Sequence, residues 1–323
     1  MPADPRQPRR PAGTPAGGRF APVNRPEAVG IELSDEHAYA VYEYDLVMAE
    51  ARDLLLDALV VLAPHREALI VVGAQAVYEH TRLVEGLEQP STNDSDLAVD
   101  PSLVTPDVSI YQAMADARFY QARLERSGIY SRTPTPPGGK PQPPTLDLIA
   151  PESVAGSSRS HRGARIPGQD RKAVSKADGL EMALVDHAWR RIGPIAEGSG
   201  RQEIEVKVAG PAALLCAKAW KLQERVRDAE AGKPWRLREK DAGDVWQLMY
   251  VSDPVELRRS FDRHAQHPSL GQAIRTGREY LISLFGAGGR GGVLAASNLA
   301  NTRTRTEVAQ VVSSWMGAFR AGA

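Results

Sequence analysis

One cysteine in 323 residues, Cys216, excludes an internal disulfide and a cysteine-based zinc cluster. The seven histidines are scattered and include no His-Glu-x-x-His, so that metalloprotease signature is absent too. Charge of one sign is also lacking. The 40 basic and 40 acidic residues cancel, so no overall field draws the chain to nucleic acid or membrane, and any such contact has to come from a local patch. No apolar run approaches the roughly 20 residues needed to span a bilayer, and the Arg- and Pro-rich start has no signal-peptide stretch. A reducing cytoplasm is therefore the expected location. Internal repeats are absent as well. What the chain does have is 42 % hydrophobic residues, enough for a substantial core in one large domain or two small ones.

Residues 1–33 are rich in Pro, Gly, Ala and Arg and nearly free of large apolar side chains, which predicts a disordered tail. Its Arg6, Arg9, Arg10 and Arg19 are either solvated or RNA contacts. One or two helices are expected over 35–62, with Ser34 as N-cap and Asp35 and Glu36 in the first turn. Ala68 to Val72 reads as a short buried strand stopped by Gly73, and Ala74 to Arg82 as the helix that follows. An acidic strand around Asp96 to Val99 precedes a helix expected from Val108 to Arg126, then a Pro- and Gly-rich loop over 131–144. Further strands are expected at 145–150, 181–184 and 203–208, and the pattern is helical from Pro211 onward.

The pattern Thr92-Asn93-Asp94-Ser95-Asp96 carries the chemistry. On a strand, the two-residue period points Asp94 and Asp96 to one face, where like charges repel unless one takes a proton or a divalent cation sits between them. With Asp147 on another strand, the three carboxylates form the ligand set of a two-metal phosphoryl or nucleotidyl transfer site for Mg2+ or Mn2+. Asp147 is also placed to accept a proton from an attacking hydroxyl. The alternative is that Asp94 caps a turn, Asp96 is solvated and Asp147 sits at an exposed edge. The turn at Gly73-Ala74 offers free backbone N–H groups and a helix N-terminus to a triphosphate, or is an ordinary tight connection.

In the helix from Ala212 to about Arg227, Lys218, Lys221 and Arg225 form a stripe beside the apolar one. Lys218, nearest the core, either reaches a phosphate or lies on a solvated face. Lys240 and Asp244 are spaced for an i,i+4 ion pair, which leaves Asp241 to orient a lysine or touch substrate. Gly286-Ala287-Gly288-Gly289-Arg290-Gly291 matches G-x-G-x-x-G, yet too little chain follows to complete a βαβ unit, and the Gly-Lys-Ser/Thr of a P-loop is missing. A glycine linker near 286–292 before a last helix, Glu307 to Phe319, is the expectation.

Taken together, Val72-Gly73-Ala74-Gln75-Ala76, Thr92-x-Asp94-x-Asp96, Leu146-Asp147-Leu148, Lys218 and Lys240-Asp241-x-x-Asp244 resemble the AbiEii-type nucleotidyltransferases of the DNA polymerase beta-like superfamily, several of which are toxins of toxin-antitoxin pairs. The resemblance covers roughly residues 66–250. It implies an α/β (α+β) fold: a nucleotidyltransferase-like core over 34–210, with a mixed sheet flanked by helices, then a helical C-terminal domain over 211–323, with the nucleotide between them. It also implies Asp94, Asp96 and Asp147 as metal ligands, with Lys218 and Asp241 completing the catalytic group. Nucleotide contacts fall to Gly73, Ala74, Gln75, Thr92, Lys218, Lys221, Arg225 and Lys240. The partners implied are a nucleoside triphosphate, an RNA (a tRNA end among the candidates) or protein acceptor, and an antitoxin. A catalytically silent nucleotide-binding regulator is the alternative. The chain departs from the family pattern at Ala74, where a second glycine or a serine is common, and at Ser91 after Pro90, where a basic residue is common.

Overall fold

The computed structural model describes residues 35–87, 92–122, 125–133, 143–156 and 163–322. The tail, its arginines, Ser34, Pro90, Ser91 and most of the 131–144 loop lie outside them, as do the side chains of Asp35 and Glu36. The expected first helical region is one helix, α1 (Asp35–Val61), with Met48, Ala51, Leu55, Leu59 and Leu62 buried at helical spacing along and just past its end. Strand β1 (Leu69–Val72) is buried throughout and runs straight into α2 (Gly73–Thr81). Next come β2 (Asp94–Val99) and α3 (Ile110–Asp116).

The expected 108–126 helix is much shorter because the chain turns left-handed at Arg118, with φ of 60°. The backbone N–H of Phe119 then closes on the Met114 carbonyl at 2.8 Å, and the Phe119 ring drops into the core. The strands β3 (Tyr120–Gln121) and β4 (Ile129–Ser131) take up part of the predicted helix's span and the residues just beyond it. Strand β5 (Thr145–Pro151) follows, then β6 (Ser175–Ala177).

The expected strand at 181–184 is a 3-10 turn. Its buried Glu181 carboxylate accepts the backbone N–H groups of Gly179 and Ser153 at 2.8 and 3.3 Å, which holds the chain in a turn. An unanticipated strand, β7 (His187–Ile192), pairs antiparallel with β8 (Ile204–Ala209). Its middle four residues are exposed, so no apolar alternation marks it.

The sheet order is β3-β4-β5-β2-β1-β8-β7, with β6 alongside β5, and it contains both parallel and antiparallel pairings: a mixed open sheet. The helices that follow are α4 (Pro211–Glu230), α5 (Lys240–Val251), α6 (Pro254–His264), α7 (Gly271–Phe285), α8 (Gly291–Asn298) and α9 (Arg305–Ala321). Gly291 and Gly292 of the expected linker open α8, so two helices rather than one follow that stretch. Among the described residues a single apolar cluster runs from α1 through the sheet to α9, crossing position 210 without a gap. No helix among them is long and apolar enough to cross a membrane.

One contact decides the faces of β2. The Ser95 hydroxyl donates to the Ala51 carbonyl of α1 at 2.8 Å, so Ser95, Leu97 and Val99 face α1. Asp94 and Asp96 lie on the opposite face, the side on which α2 packs against α4 and α5.

Candidate active site

The register brings the three acids together. Asp96 pairs with Val72 of β1 on one side and with Asp147 of β5 on the other, while Asp94 pairs with Thr145. Neighbouring strands lie about 4.8 Å apart, and period two keeps 94, 96, 145 and 147 on one face. Two further contacts fix the start of β2. The Thr92 hydroxyl bridges to the backbone of Asp94, donating to its carbonyl at 3.2 Å and accepting its N–H at 3.1 Å. Thr145 donates to Asp94 Oδ1 at 2.7 Å.

Asp96 sits against the turn that opens α2. Gly73 has φ of +65°, and a Cβ there would stand 2.0 Å from Asp96 Oδ2. Only a residue without a side chain leaves the carboxylate that place. The first turn of α2 has no side-chain cap and no acid of its own, so no N-cap side chain or first-turn carboxylate occupies its backbone N–H groups. Burial pushes the Asp96 carboxyl above its usual value and the Asp94 charge adds to this; Lys221, Lys218 and Lys240 oppose it. Lys218 and Lys221 belong to α4 and Lys240 opens α5, the helices that pack against α2.

Lys218 does not reach outward as one reading of the sequence had it. Its buried ammonium donates to Asp241 Oδ1 at 2.9 Å and Asp244 Oδ2 at 2.5 Å. Burial alone would lower its pKa; the two carboxylates overturn that and hold it well above the ordinary lysine value. The expected Lys240–Asp244 pair gives way to this contact, since Asp244 spends an oxygen on Lys218. Asp241 is the hub: burial would raise its pKa, but Lys218, Lys221 and Arg225 hold it well below the carboxylate range. Its Oδ2 takes Arg225 and its Oδ1 lies 3.6 Å from the half-exposed Lys221 ammonium. Of the two roles left open for Asp241, orienting the cations is the one its contacts serve. Lys240, the first residue of α5, has its pKa lowered by burial, with Asp244 opposing.

Gln75 is corrected. It is fully buried, accepts the Arg52 Nε–H at 2.7 Å and touches Met48 Sδ at 3.5 Å, so it ties α2 to α1 and presents nothing to a nucleotide. Ala74 is buried as well and contributes backbone alone. The Arg52 guanidinium, which sequence reasoning passed over, also pairs with Glu79 of α2 at 2.8 Å and donates to the Gly193 carbonyl at 3.1 Å. Its signal was a cation on the same helical stripe as Met48 and Leu55.

Among the described residues no group of three or more His, Cys, Asp or Glu side chains is arranged as a metal cage. The strands place Asp94, Asp96 and Asp147 on one face, and one oxygen of the Asp94 carboxylate is taken by the Thr145 hydroxyl. A cleft of about 560 Å³ lies beyond the other end of β2, at Asp100, Arg165 and His267, and none of the candidate residues lines it. In comparisons with known proteins the chain matches no family model, no curated protein and no solved structure.

Proposed function

We propose that this chain is a Mg2+-dependent nucleotidyltransferase of the cytoplasm, with a nucleotidyltransferase-like core around the sheet and α2, and with α4 to α9 as a helical domain closing the other side. One observation carries the reading: Asp96 is in register with Asp147, shares its face with Asp94, and lies against the left-handed Gly73 at an uncapped helix N-terminus. That combination juxtaposes hard oxygen donors with a phosphate-binding turn.

The donor chemistry fits a divalent cation. Asp94 and Asp96 would hold it together with Asp147, after the Asp94 carboxylate leaves the Thr145 hydroxyl. When bound, Mg2+ supplies charge neutralisation on the triphosphate and a lowered pKa for the attacking hydroxyl. The residues do the rest. First-turn amides of α2 bind phosphate oxygens, and Lys221 and Lys240 add cations from α4 and α5, the helices packed on α2. Asp241 keeps Lys221 and Arg225 in position. The acceptor oxygen bonds to the α-phosphorus, the bond to the bridging oxygen breaks, pyrophosphate leaves, and Asp147 takes the hydroxyl proton.

The acceptor, an RNA such as a tRNA end or a protein hydroxyl, and a role as a toxin held by an antitoxin, are supported by the family resemblance alone. The test is incubation with α-labelled nucleoside triphosphates, Mg2+ and total RNA or protein. Label transferred by the wild type and lost in Asp96→Asn supports the reading; no transfer, or undiminished transfer by the variant, refutes it.

A second reading, a silent nucleotide-binding regulator, is favoured by the Asp94 side chain engaging Thr145 and by Lys218 being spent inside the protein. Calorimetric titration with each triphosphate separates the two: tight binding without product means the regulator.

A further inference from the structure

We propose that Trp235, on the turn between α4 and α5, is a base-stacking platform for a single-stranded nucleic acid beside the acidic site. This rests on the proposed transferase reading for what it says about the acceptor, but the binding itself does not.

Trp235 is 73 % exposed, the most exposed of the large aromatics described. Two other exposed rings have a face occupied: Trp189 carries Arg66 and Lys207, each 5.4 Å from the ring centroid, and Tyr250 stacks on Trp246 at 5.2 Å; Tyr120, 52 % exposed, lies on β3, away from α4 and α5 in the chain. Trp235 has no ring contact and no side-chain hydrogen bond among the described residues. An indole left in water forgoes a large apolar burial, on the order of 150–250 Å² of surface.

The turn is nevertheless built firmly. It is a 3-10 turn, Pro234–Arg236, closed by Arg236 N–H to the Lys233 carbonyl at 3.0 Å and Leu237 N–H to the Pro234 carbonyl at 3.1 Å. Arg236 reaches back to α4, pairing with Glu224 at 3.0 Å and Asp228 at 2.9 Å, and Lys233 pairs with Asp228 at 3.3 Å. The ring is thus held out on an anchored support.

Toward α5 the chain carries Arg238 and Lys240 with Glu239 between them. Arg238 is exposed and makes no ion pair among the described residues. Lys240, five residues on, opens α5, the helix that packs on α2, and Lys221 lies 3.6 Å from Asp241 on its first turn. Five residues span at most about 17 Å, a distance a few nucleotides cover. A flat exposed ring next to Arg238, with Lys240 and, from α4, Lys221 at the start of α5, fits a single strand, whose bases stack and whose phosphates follow the charge. An acidic protein would use the cations but has no need of the ring.

The test is fluorescence anisotropy of a labelled twelve-nucleotide oligoadenylate at low salt, with no triphosphate and no Mg2+. Trp235→Ala should weaken binding roughly ten- to a hundredfold, while Trp235→Phe retains most of the affinity. Arg238→Ala should reduce the salt slope by about 0.7. A duplex of the same length should bind weakly and without dependence on Trp235. Equal binding by wild type and Trp235→Ala overturns the proposal. So does poly-glutamate binding that shows the same Trp235 dependence, because the partner is then an acidic protein. Binding here with no nucleotide transfer in any assay sinks the transferase reading and leaves the platform standing.

Discussion

Replacing Gly73 by alanine tests the centre of the site, because two separate penalties meet there. The first is backbone: φ of +65° is a left-handed conformation, and a residue with a Cβ loses about 1–2 kcal/mol in it. The second is contact: the new Cβ would lie 2.0 Å from Asp96 Oδ2, so the carboxylate has to swing away from the turn. With a urea slope near 3 kcal/mol/M for a chain of this size, a loss of about 2 kcal/mol lowers the unfolding midpoint by roughly 0.7 M. Gly317 in α9 is the control, with nothing within 4 Å of its added Cβ; Gly317→Ala should raise the midpoint, by the equivalent of about 0.5–1 kcal/mol. A cycle with Asp96→Ala separates the two penalties. In that background Gly73→Ala should keep the backbone cost and lose the contact cost, so the two substitutions are not additive. Transfer should fall in Gly73→Ala for the same reason that Asp96 moves. An unchanged midpoint with intact transfer would refute both the left-handed turn and the Asp96 contact.

Asp96→Asn should abolish transfer by at least about a hundredfold and at the same time stabilise the protein at neutral pH. A carboxyl with a raised pKa gives its full stability below the unfolded value and loses it as pH rises, so removing the charge relieves a cost at pH 7; paired urea and transfer measurements check this. Lys218→Met leaves Asp244 buried without its partner and should cost about 3–5 kcal/mol, most of it recovered by adding Asp244→Asn, as chemical unfolding will show. Asp241 has the opposite sign to Asp96: its depressed pKa gives stability above the unfolded value of 3.8 that is lost as pH falls below it. The stability gap between wild type and Asp241→Asn should therefore be wide at pH 6 and narrow steadily below about pH 4 in acid titrations followed by circular dichroism.

Local pattern carried the fold where the pattern was strong. β1 is apolar throughout and ends in glycine, β8 alternates, and α4 and α9 have long apolar stripes; each stands where the sequence put it, to within a few residues. Failure came where long-range contacts override local preference. The stretch 108–126 has helical character, but burying Phe119 is worth more than another turn and the chain reverses at Arg118. Glu181 to Leu184 is a short, mostly apolar run too brief to show a period, and its residues are helix formers rather than strand formers; a buried carboxylate bound to two backbone N–H groups makes it a turn. β7 shows no period because as an edge strand it leaves four residues in water.

The same division runs through the site. Period two and a strand after a glycine are local facts, so the shared face of Asp94 and Asp96 and the Gly73 turn were legible. Register is not local. That Asp147 falls opposite Asp96 rather than one residue off depends on how β5 slides along β2, and a one-residue slip would have put it on the α1 face. Charge pairing is less legible still. A helix wheel places Lys218 at the core border and Asp244 four residues after Lys240, and from that spacing the local pair looks natural. The packing of α4 against α5 instead sets Lys218 between Asp241 and Asp244, 23 and 26 residues away. A buried ammonium has to be neutralised before anything else, and it takes the nearest carboxylates for that. The consequence is a change of role: the lysine closest to the core holds the cluster together, and under the proposed transferase reading the cation left to meet phosphates is the half-exposed Lys221, 3.6 Å from Asp241.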